Sequence, residues 1–164
     1  MKKPSPSDFV IHDISVSNLL LGEARLMRLL LPEAWDIDRG LAPPDMSARH
    51  MRGGAPWVAT GQAWYVLYHK TYSWALELHV RVAPRKKPAP SDSAEILTIA
   101  GHTAYLTWHT RRRGLLWKRH DVTFMTVAWY CPQTERYLSL EFSGWCPQEG
   151  FEQIRASLEH LRCH

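Results

Sequence analysis

Residues 137–161, YLSLEFSGWCPQEGFEQIRASLEHL, join a strand to a helix and decide the fold class of the chain. In the first part, apolar and polar residues alternate, so that Leu138, Leu140 and Phe142 share one buried face. In the second part, apolar residues recur at steps of three, four and three, which is the spacing of one helix face. The residues of that face are Phe151, Ile154, Leu158 and Leu161. The pattern predicts a helix over residues 147–161, with the proline at its first position.

Two pairs of apolar, aromatic-rich runs precede this segment, and a short polar turn joins each pair. The first pair is Gln62–His69 and Trp74–Val82. The second pair is Ala104–Thr110 and Trp117–Tyr130, which flank an arginine-rich tip. Parallel strands need long crossovers, so short connections indicate antiparallel neighbours. Both pairs are therefore predicted to be hairpins.

The N-terminal third of the chain allows two interpretations. Phe9–Val16 and Ala24–Leu31 are favoured as strands that turn at Gly22. The first run is rich in Val and Ile, and a glycine weakens a helix interior. The alternative is a helix that is capped by Ser17.

The chain is predicted to be a single domain over residues 1–164 with an α+β fold. We expect a mostly antiparallel sheet of about five to seven strands, with the C-terminal helix packed on one face. Residues 1–8 are expected to form a flexible N-terminus. Two stretches rich in Pro, Gly or charged residues, 38–57 and 84–93, are expected to form long loops.

Composition favours a cytoplasmic globular protein. The three cysteines are too few for a disulfide framework. The initial Met-Lys-Lys is followed at once by prolines and charged residues, so no secretory signal is expected. The longest apolar runs are far shorter than the roughly 20 residues that span a bilayer, so no membrane span is expected. One asparagine and an excess of Arg over Lys fit either a heat-adapted source or a GC-rich genome.

The basic segment, residues 111–120 (RRRGLLWKRH), holds five of the twenty Lys and Arg residues and no Asp or Glu. Outside it the chain has fifteen basic and sixteen acidic residues, so the net charge of +4 depends on this segment. At a hairpin tip, its cations would attract phosphates and its aromatic ring would stack on a base. Its candidate anion or nucleic-acid contacts are Arg111, Arg112, Arg113, Trp117, Lys118 and Arg119. The alternative is a solvated hairpin end with Trp108 and Trp117 buried at its base.

No complete catalytic or metal-binding motif is found in the chain. Cys146 is expected at the N-cap of the final helix, where partial positive charge activates a thiol, but it lacks a recognisable His and Asn/Asp arrangement. His160, Cys163 and His164 have the i, i+3, i+4 spacing of metal ligands if the helix continues to the last residue. Neither pattern is sufficient, so no catalytic, metal or cofactor site is predicted.

Three phrases of the sequence resemble the Mog1/PsbP-like group. LLPEAW at residues 30–35 resembles an apolar strand followed by Pro, a small residue and Trp, and LTIAGHTA at 97–104 resembles a step into paired strands. FSG at 142–144 and the helix at 151–161 resemble the closing strand and helix of that group. The resemblance covers residues 24–161 and implies an antiparallel sheet flanked by helices. It also implies a binding or accessory role with diverse partners, and it carries over no functional residue.

The expected function is that of a non-catalytic binding or accessory protein with an anionic or protein partner and no cofactor. The first alternative is binding of nucleic acid or another polyanion through the basic segment. The second is a carrier or enzyme for a small apolar ligand, held in a helix-grip cavity between a curved sheet and the C-terminal helix.

Overall fold

The computed structural model describes most of the 164-residue chain. The described residues are 8–18, 22–50, 57–84, 91–114 and 119–163, with backbone only at residues 18, 47–50 and 57. Within them the chain forms ten strands, one α-helix and one 3-10 helix. The strands are β1 (Phe9–Asn18), β2 (Gly22–Pro32), β3 (Trp35–Arg39), β4 (Asp45–His50), β5 (Trp57–His69), β6 (Ala75–Pro84), β7 (Glu95–Ile99), β8 (His102–Arg113), β9 (His120–Cys131) and β10 (Arg136–Trp145). Helix α1 is Gln148–Ser157, and the 3-10 helix Leu158–His160 follows it.

Eight of the strands form one sheet, in which all neighbours are antiparallel. The strand order is β3-β5-β6-β10-β9-β8-β7, and β4 pairs with the first half of β5 while β3 pairs with its second half. Strands β1 and β2 form a separate antiparallel hairpin. The α+β class, the antiparallel sheet and the single domain are confirmed, but the sheet has more strands than the five to seven predicted.

Strand β4 accounts for part of this difference, because it lies within the predicted loop 38–57. Its partner Gly61 has a φ of +149°, and a Cβ there would lie 2.0 Å from the carbonyl oxygen of Asp45. The close approach of β4 therefore depends on a glycine in another strand, which periodicity within residues 38–57 does not reveal. The second predicted loop, 84–93, lies partly outside the described residues, as do residues 1–7 of the predicted flexible N-terminus.

The N-terminal hairpin has the strand structure that the sequence favoured. Ile14 pairs with Met27, and the register shifts between Ile14 and Ser15. Gly22, the first residue of β2, has a φ of +75°. The preceding residues 19–21 lie outside the described part of the chain.

The inner face of the sheet, which we define as the face toward α1, holds the core. Its alternating residues Leu138, Leu140 and Phe142 are fully buried, as the sequence predicted. The helix adds Phe151, Ile154, Leu158 and Leu161, each at most 1% exposed, and the β1–β2 hairpin adds Ile14, Leu26, Leu29 and Leu31 to the same cluster. Helix and hairpin therefore cover one face of the sheet with closely packed apolar side chains. The apolar ligand cavity between sheet and helix, which the helix-grip alternative requires, stays a prediction.

The C-terminal helix is confirmed, with different ends. Pro147 is its N-cap, with extended backbone (φ −68°, ψ 163°), rather than its first helical residue. After Ser157 the last predicted turn tightens into the 3-10 helix, and the chain is extended at Leu161. No helix in the described part of the chain is long and apolar enough to cross a membrane.

Candidate binding cleft on the outer sheet face

The outer face of the sheet, opposite α1, differs from the inner face in composition. Strand register brings Val66, Glu77, Ser143, Phe124 and His109 into one row across five strands. The next row toward the β8–β9 tip runs through Tyr68, Ala75, Trp145, Val122 and Arg111. Polar, charged and aromatic side chains therefore share a surface that neither the helix nor the N-terminal hairpin covers.

A cleft of about 420 Å³ opens on this face near the tip of the β8–β9 hairpin. Its apolar part comprises Val66, Ala75, Val122 and Trp145, and its polar part comprises Glu77, Arg113, His120 and Ser143. A small number of polar groups around an apolar floor is typical of ligand sites. We refer to it below as the cleft.

Trp145 is the most prominent side chain of the cleft, since 71% of it is exposed. Its ring lies 4.8 Å from the ring of His120, centroid to centroid, at 33°. The preceding residue, Gly144, has a φ of +145°, and a Cβ there would lie 2.8 Å from the carbonyl oxygen of Ala75. Close pairing of β10 with β6 at Gly144 thus fixes the backbone from which Trp145 projects.

Two arginines of the basic segment cover a buried aromatic ring on the outer face. The guanidinium groups of Arg111 and Arg113 lie 5.0 Å and 5.1 Å from the centroid of Phe124. Phe124 also stacks on His109, with 4.9 Å between centroids and 7° between planes. These contacts leave Phe124 fully buried although it lies on the open face. Cation–π contact holds both guanidinium groups beside the cleft.

Carboxylates offset part of the positive charge of the basic segment. Arg112 Nε lies 3.4 Å from Asp121 Oδ1, and Arg113 Nη1 lies 3.8 Å from Glu77 Oε2. All four side chains are more than half exposed, so each pair contributes little to stability and exchanges readily with solvent or ligand. The local positive charge is therefore smaller than the count over residues 111–120 indicates.

The predicted contact residues are only partly brought together. Arg113 pairs directly with His120, so the strands extend almost to the tip. Arg111 and Arg113 lie on the outer face, while Arg112 lies on the opposite side of the strand, and Arg119 is exposed. The predicted contacts Trp117 and Lys118 lie outside the described residues.

Trp108, which the sequence placed at the base of the hairpin, faces the helix. It makes an edge-to-face contact with Phe151 at 5.6 Å and is packed against the core. Trp108 is partly buried, so the alternative that placed it in the core is met in part.

Sequence reasoning missed Trp145 and Glu77, because they come from β10 and β6. The sequence did contain a sign of Trp145. The outer-face side of β10 carries every second residue, namely Tyr137, Ser139, Glu141 and Ser143, and Trp145 is the next residue on that side. Trp145 adds an exposed aromatic ring to this face, and contiguous exposed apolar patches mark contact surfaces.

A second cleft of about 270 Å³ adjoins the first and shares Val66 and Glu77 with it. It is also lined by Leu41, which is fully exposed, and by Trp64. The Trp64 ring stacks on His79 at 4.7 Å and 4°. The two clefts together extend aromatic and apolar surface across the outer face from β3 to β9.

Cys146 does not have the environment of an activated thiol. Pro147, not Cys146, is the helix N-cap. Burial raises the pKa of the Cys146 thiol to about 11, against a smaller opposing effect from the backbone N–H of Phe151. A thiol with this pKa is protonated at neutral pH and is a weak nucleophile, so the environment of Cys146 does not favour the activation that its place before the helix suggested.

His160 and Cys163 do not lie on one helix, as the i, i+3, i+4 metal-ligand spacing with His164 required. The chain leaves the helix at Leu161, and His160 packs on Phe9 with 5.0 Å between ring centroids. His164 lies outside the described residues. Cys163 instead lies beside Cys131 and His102.

Within the described ranges, His102, Cys131 and Cys163 are the one group of three His, Cys, Asp or Glu residues arranged to hold a metal ion. Their ligand atoms all lie within 4.8 Å of one another. A hydrogen bond with Cys131 and burial raise the pKa of the Cys163 thiol, while Trp129 and Arg136 oppose this rise. The group lies on the inner face, away from the cleft.

Comparison of the chain with protein-family models, curated proteins and solved structures found no match. The resemblance to the Mog1/PsbP-like group therefore stays a prediction, and function rests on the site itself.

Proposed function

We propose that this protein is a non-catalytic binding protein that takes up single-stranded nucleic acid on the outer face of its sheet. The observation that carries the proposal is the exposed ring of Trp145, which stands beside His120 and Arg113 at an open cleft. Aromatic rings on an open sheet face, next to cations, are a recurrent means of binding unpaired bases.

Stacking on Trp145 supplies the main attraction to a base. An indole that is 71% exposed presents apolar surface which a planar base removes from water. His120 already lies in ring contact with Trp145, so that the indole is positioned before the ligand arrives. Trp64, stacked on His79 in the adjoining cleft, offers a second aromatic surface farther along the sheet.

Arginines beside the cleft supply the attraction to phosphate. Arg111 and Arg113 are held against Phe124, which reduces the side-chain entropy lost when they bind an anion. The 3.8 Å contact of Arg113 with Glu77 is exposed and weak, so that a phosphate replaces it at small cost. Glu77 then remains in the cleft as an acceptor for base amino groups.

Single strands are favoured over duplexes because stacking on Trp145 needs a base with a free face. In a duplex both faces of an internal base are covered by its neighbours.

The test is fluorescence anisotropy with labelled single-stranded and duplex oligonucleotides at about 50 and about 200 mM salt. We expect micromolar or tighter binding to the single strand, weaker binding to the duplex, and a loss of affinity as salt rises. Trp145→Ala should weaken single-strand binding by about 1–3 kcal/mol. Replacing Arg111 and Arg113 with Ser should lower the salt slope by about 0.7 for each phosphate that these arginines neutralise.

Arg81→Ser is the matched control, because Arg81 is an exposed arginine on the outer face that lines neither cleft. It should leave the affinity nearly unchanged. Absence of binding at low salt would contradict the proposal. Equal losses for Arg81→Ser and for the Trp145 and arginine variants would show that binding is unspecific attraction to the whole surface.

A further inference from the structure

Three residues that are far apart in sequence meet at the end of the sheet away from the cleft. His102 is the first residue of β8, Cys131 is the last residue of β9, and Cys163 follows the 3-10 helix. Their potential ligand atoms all lie within 4.8 Å of one another. Both cysteines are fully buried, whereas His102 is partly exposed.

The register of β8 and β9 brings the first two residues together. Ala104 pairs with Trp129, and both residues are fully buried on the inner face. His102 and Cys131 lie two residues beyond that pair, one on each strand, and therefore share the inner face and oppose each other. Their proximity is fixed by the strand pairing and does not depend on a mobile loop.

Cys163 is held in place from both sides. Its neighbour Arg162 exchanges two backbone hydrogen bonds with Arg28 of β2, at 2.8 Å and 3.0 Å. The Nη2 group of Arg136 donates a 2.6 Å hydrogen bond to the carbonyl oxygen of Cys163. Arg136 is 5% exposed, so a buried side chain anchors the backbone that carries Cys163.

Two thiolates and one imidazole form a donor set of known preference. Sulfur and imidazole nitrogen are ligands for Zn²⁺, with bond lengths of about 2.3 Å and about 2.0 Å. Tetrahedral geometry at those bond lengths separates neighbouring ligand atoms by about 3.5–3.8 Å. The ligand atoms lie within 4.8 Å of one another, at most about 1 Å more than this separation, so binding an ion requires the three side chains to draw together.

We propose that His102, Cys131 and Cys163 form a Zn²⁺ site with an open fourth coordination position. The ion joins the end of the β8–β9 hairpin to the C-terminal segment. His102 is the partly exposed residue of the three. Three protein ligands leave room for water or for a small anionic or sulfur-containing ligand, as in zinc sites that bind substrates.

The first experiment titrates the reduced, metal-free full-length protein with Zn²⁺ and follows stoichiometry by native mass spectrometry. We expect one ion per chain and a higher melting temperature with Zn²⁺ than without it, because the ion binds the folded state. Titration with Co²⁺ should give a thiolate-to-cobalt charge-transfer band and the intense visible bands of a tetrahedral site. This spectrum requires no variant, so it tests the site even if a substituted protein does not fold.

Cys163→Ser and His102→Gln should weaken Zn²⁺ binding by more than about a hundredfold, which is the upper range for loss of a residue that only supports a ligand. Cys146→Ser is the matched control, since the third cysteine lies outside the group and should leave binding unchanged. A chain that binds no Zn²⁺ when reduced, or cobalt spectra without a thiolate band, would overturn the proposal. Equal weakening by Cys146→Ser, or a Cys131–Cys163 disulfide that persists in the protein purified from cytosol, would do so as well.

Discussion

Trp35 and Trp145 belong to the same sheet but have opposite surroundings. Trp35 is fully buried on the inner face, and its Nε1 donates a 2.8 Å hydrogen bond to Gln153 Oε1 of α1. Trp145 projects from the outer face with 71% of its surface exposed. The first indole joins sheet and helix, and the second contributes little to packing. Trp145 is therefore free to serve binding, because the fold does not depend on its side chain.

The largest expected effect is that of Trp35→Ala. Loss of a fully buried tryptophan should lower the free energy of unfolding by about 3–5 kcal/mol. Trp145→Ala should change it by no more than about 0.5 kcal/mol, since the side chain is already in water. Urea denaturation of both variants measures the difference. Similar losses for the two would mean that Trp145 is part of the core and would remove the basis of the binding proposal.

Two leucines allow the same comparison of a buried with an exposed side chain. Leu158 is fully buried at the start of the 3-10 helix, whereas Leu41 is fully exposed at the second cleft. Leu158→Ala should cost about 2–5 kcal/mol, because it removes buried methyl groups and leaves a cavity. Leu41→Ala should cost less than about 0.5 kcal/mol. An unchanged melting temperature for the Leu158 variant would contradict the packing of the helix on the sheet.

Inner-face residues were predictable from the sequence, whereas the cleft was not. Burial imposes a period of two on Leu138, Leu140 and Phe142 and a helical period on the residues of α1, so a local pattern records the packing. The cleft combines Glu77 of β6 with Trp145 of β10, and their proximity follows from strand order. The order of strands in a sheet cannot be read from a local sequence pattern, so the cleft could not be predicted.

The same limit applies to charge and to short strands. The basic segment contains no acid in sequence, yet Arg113 lies beside Glu77 from another strand. Strand β4 forms because β5 is long enough to pair with β3 and β4 in succession. Its own residues resemble a loop. The cysteine pair was missed for this reason too, since Cys131 and Cys163 meet only through the tertiary fold.

A smaller effect is expected for the pH dependence of stability, through His79 on the outer face. Burial and the nearby Arg81 lower the pKa of His79 from its ordinary value of 6.5, against an opposing effect of Glu141. Below pH 6.5 the unfolded chain therefore takes up a proton that folded His79 resists, and stability falls as pH falls through the folded pKa. His79→Gln removes this contribution. Chemical denaturation between about pH 8 and about pH 5 should show wild type losing stability relative to the variant. A relative gain for wild type on acidification would contradict the assigned sign.

The smallest effect is expected at the ion pair between Arg155 of α1 and Glu95 of β7, which joins helix and sheet edge at the surface. The two side chains are 32% and 43% exposed, so water screens their attraction. A double-mutant cycle with Glu95→Gln and Arg155→Met should give a coupling of no more than about 1 kcal/mol. It should decrease at about 1 M salt, where the screening length is about 3 Å. A coupling above about 2 kcal/mol would contradict the expectation that water screens this pair.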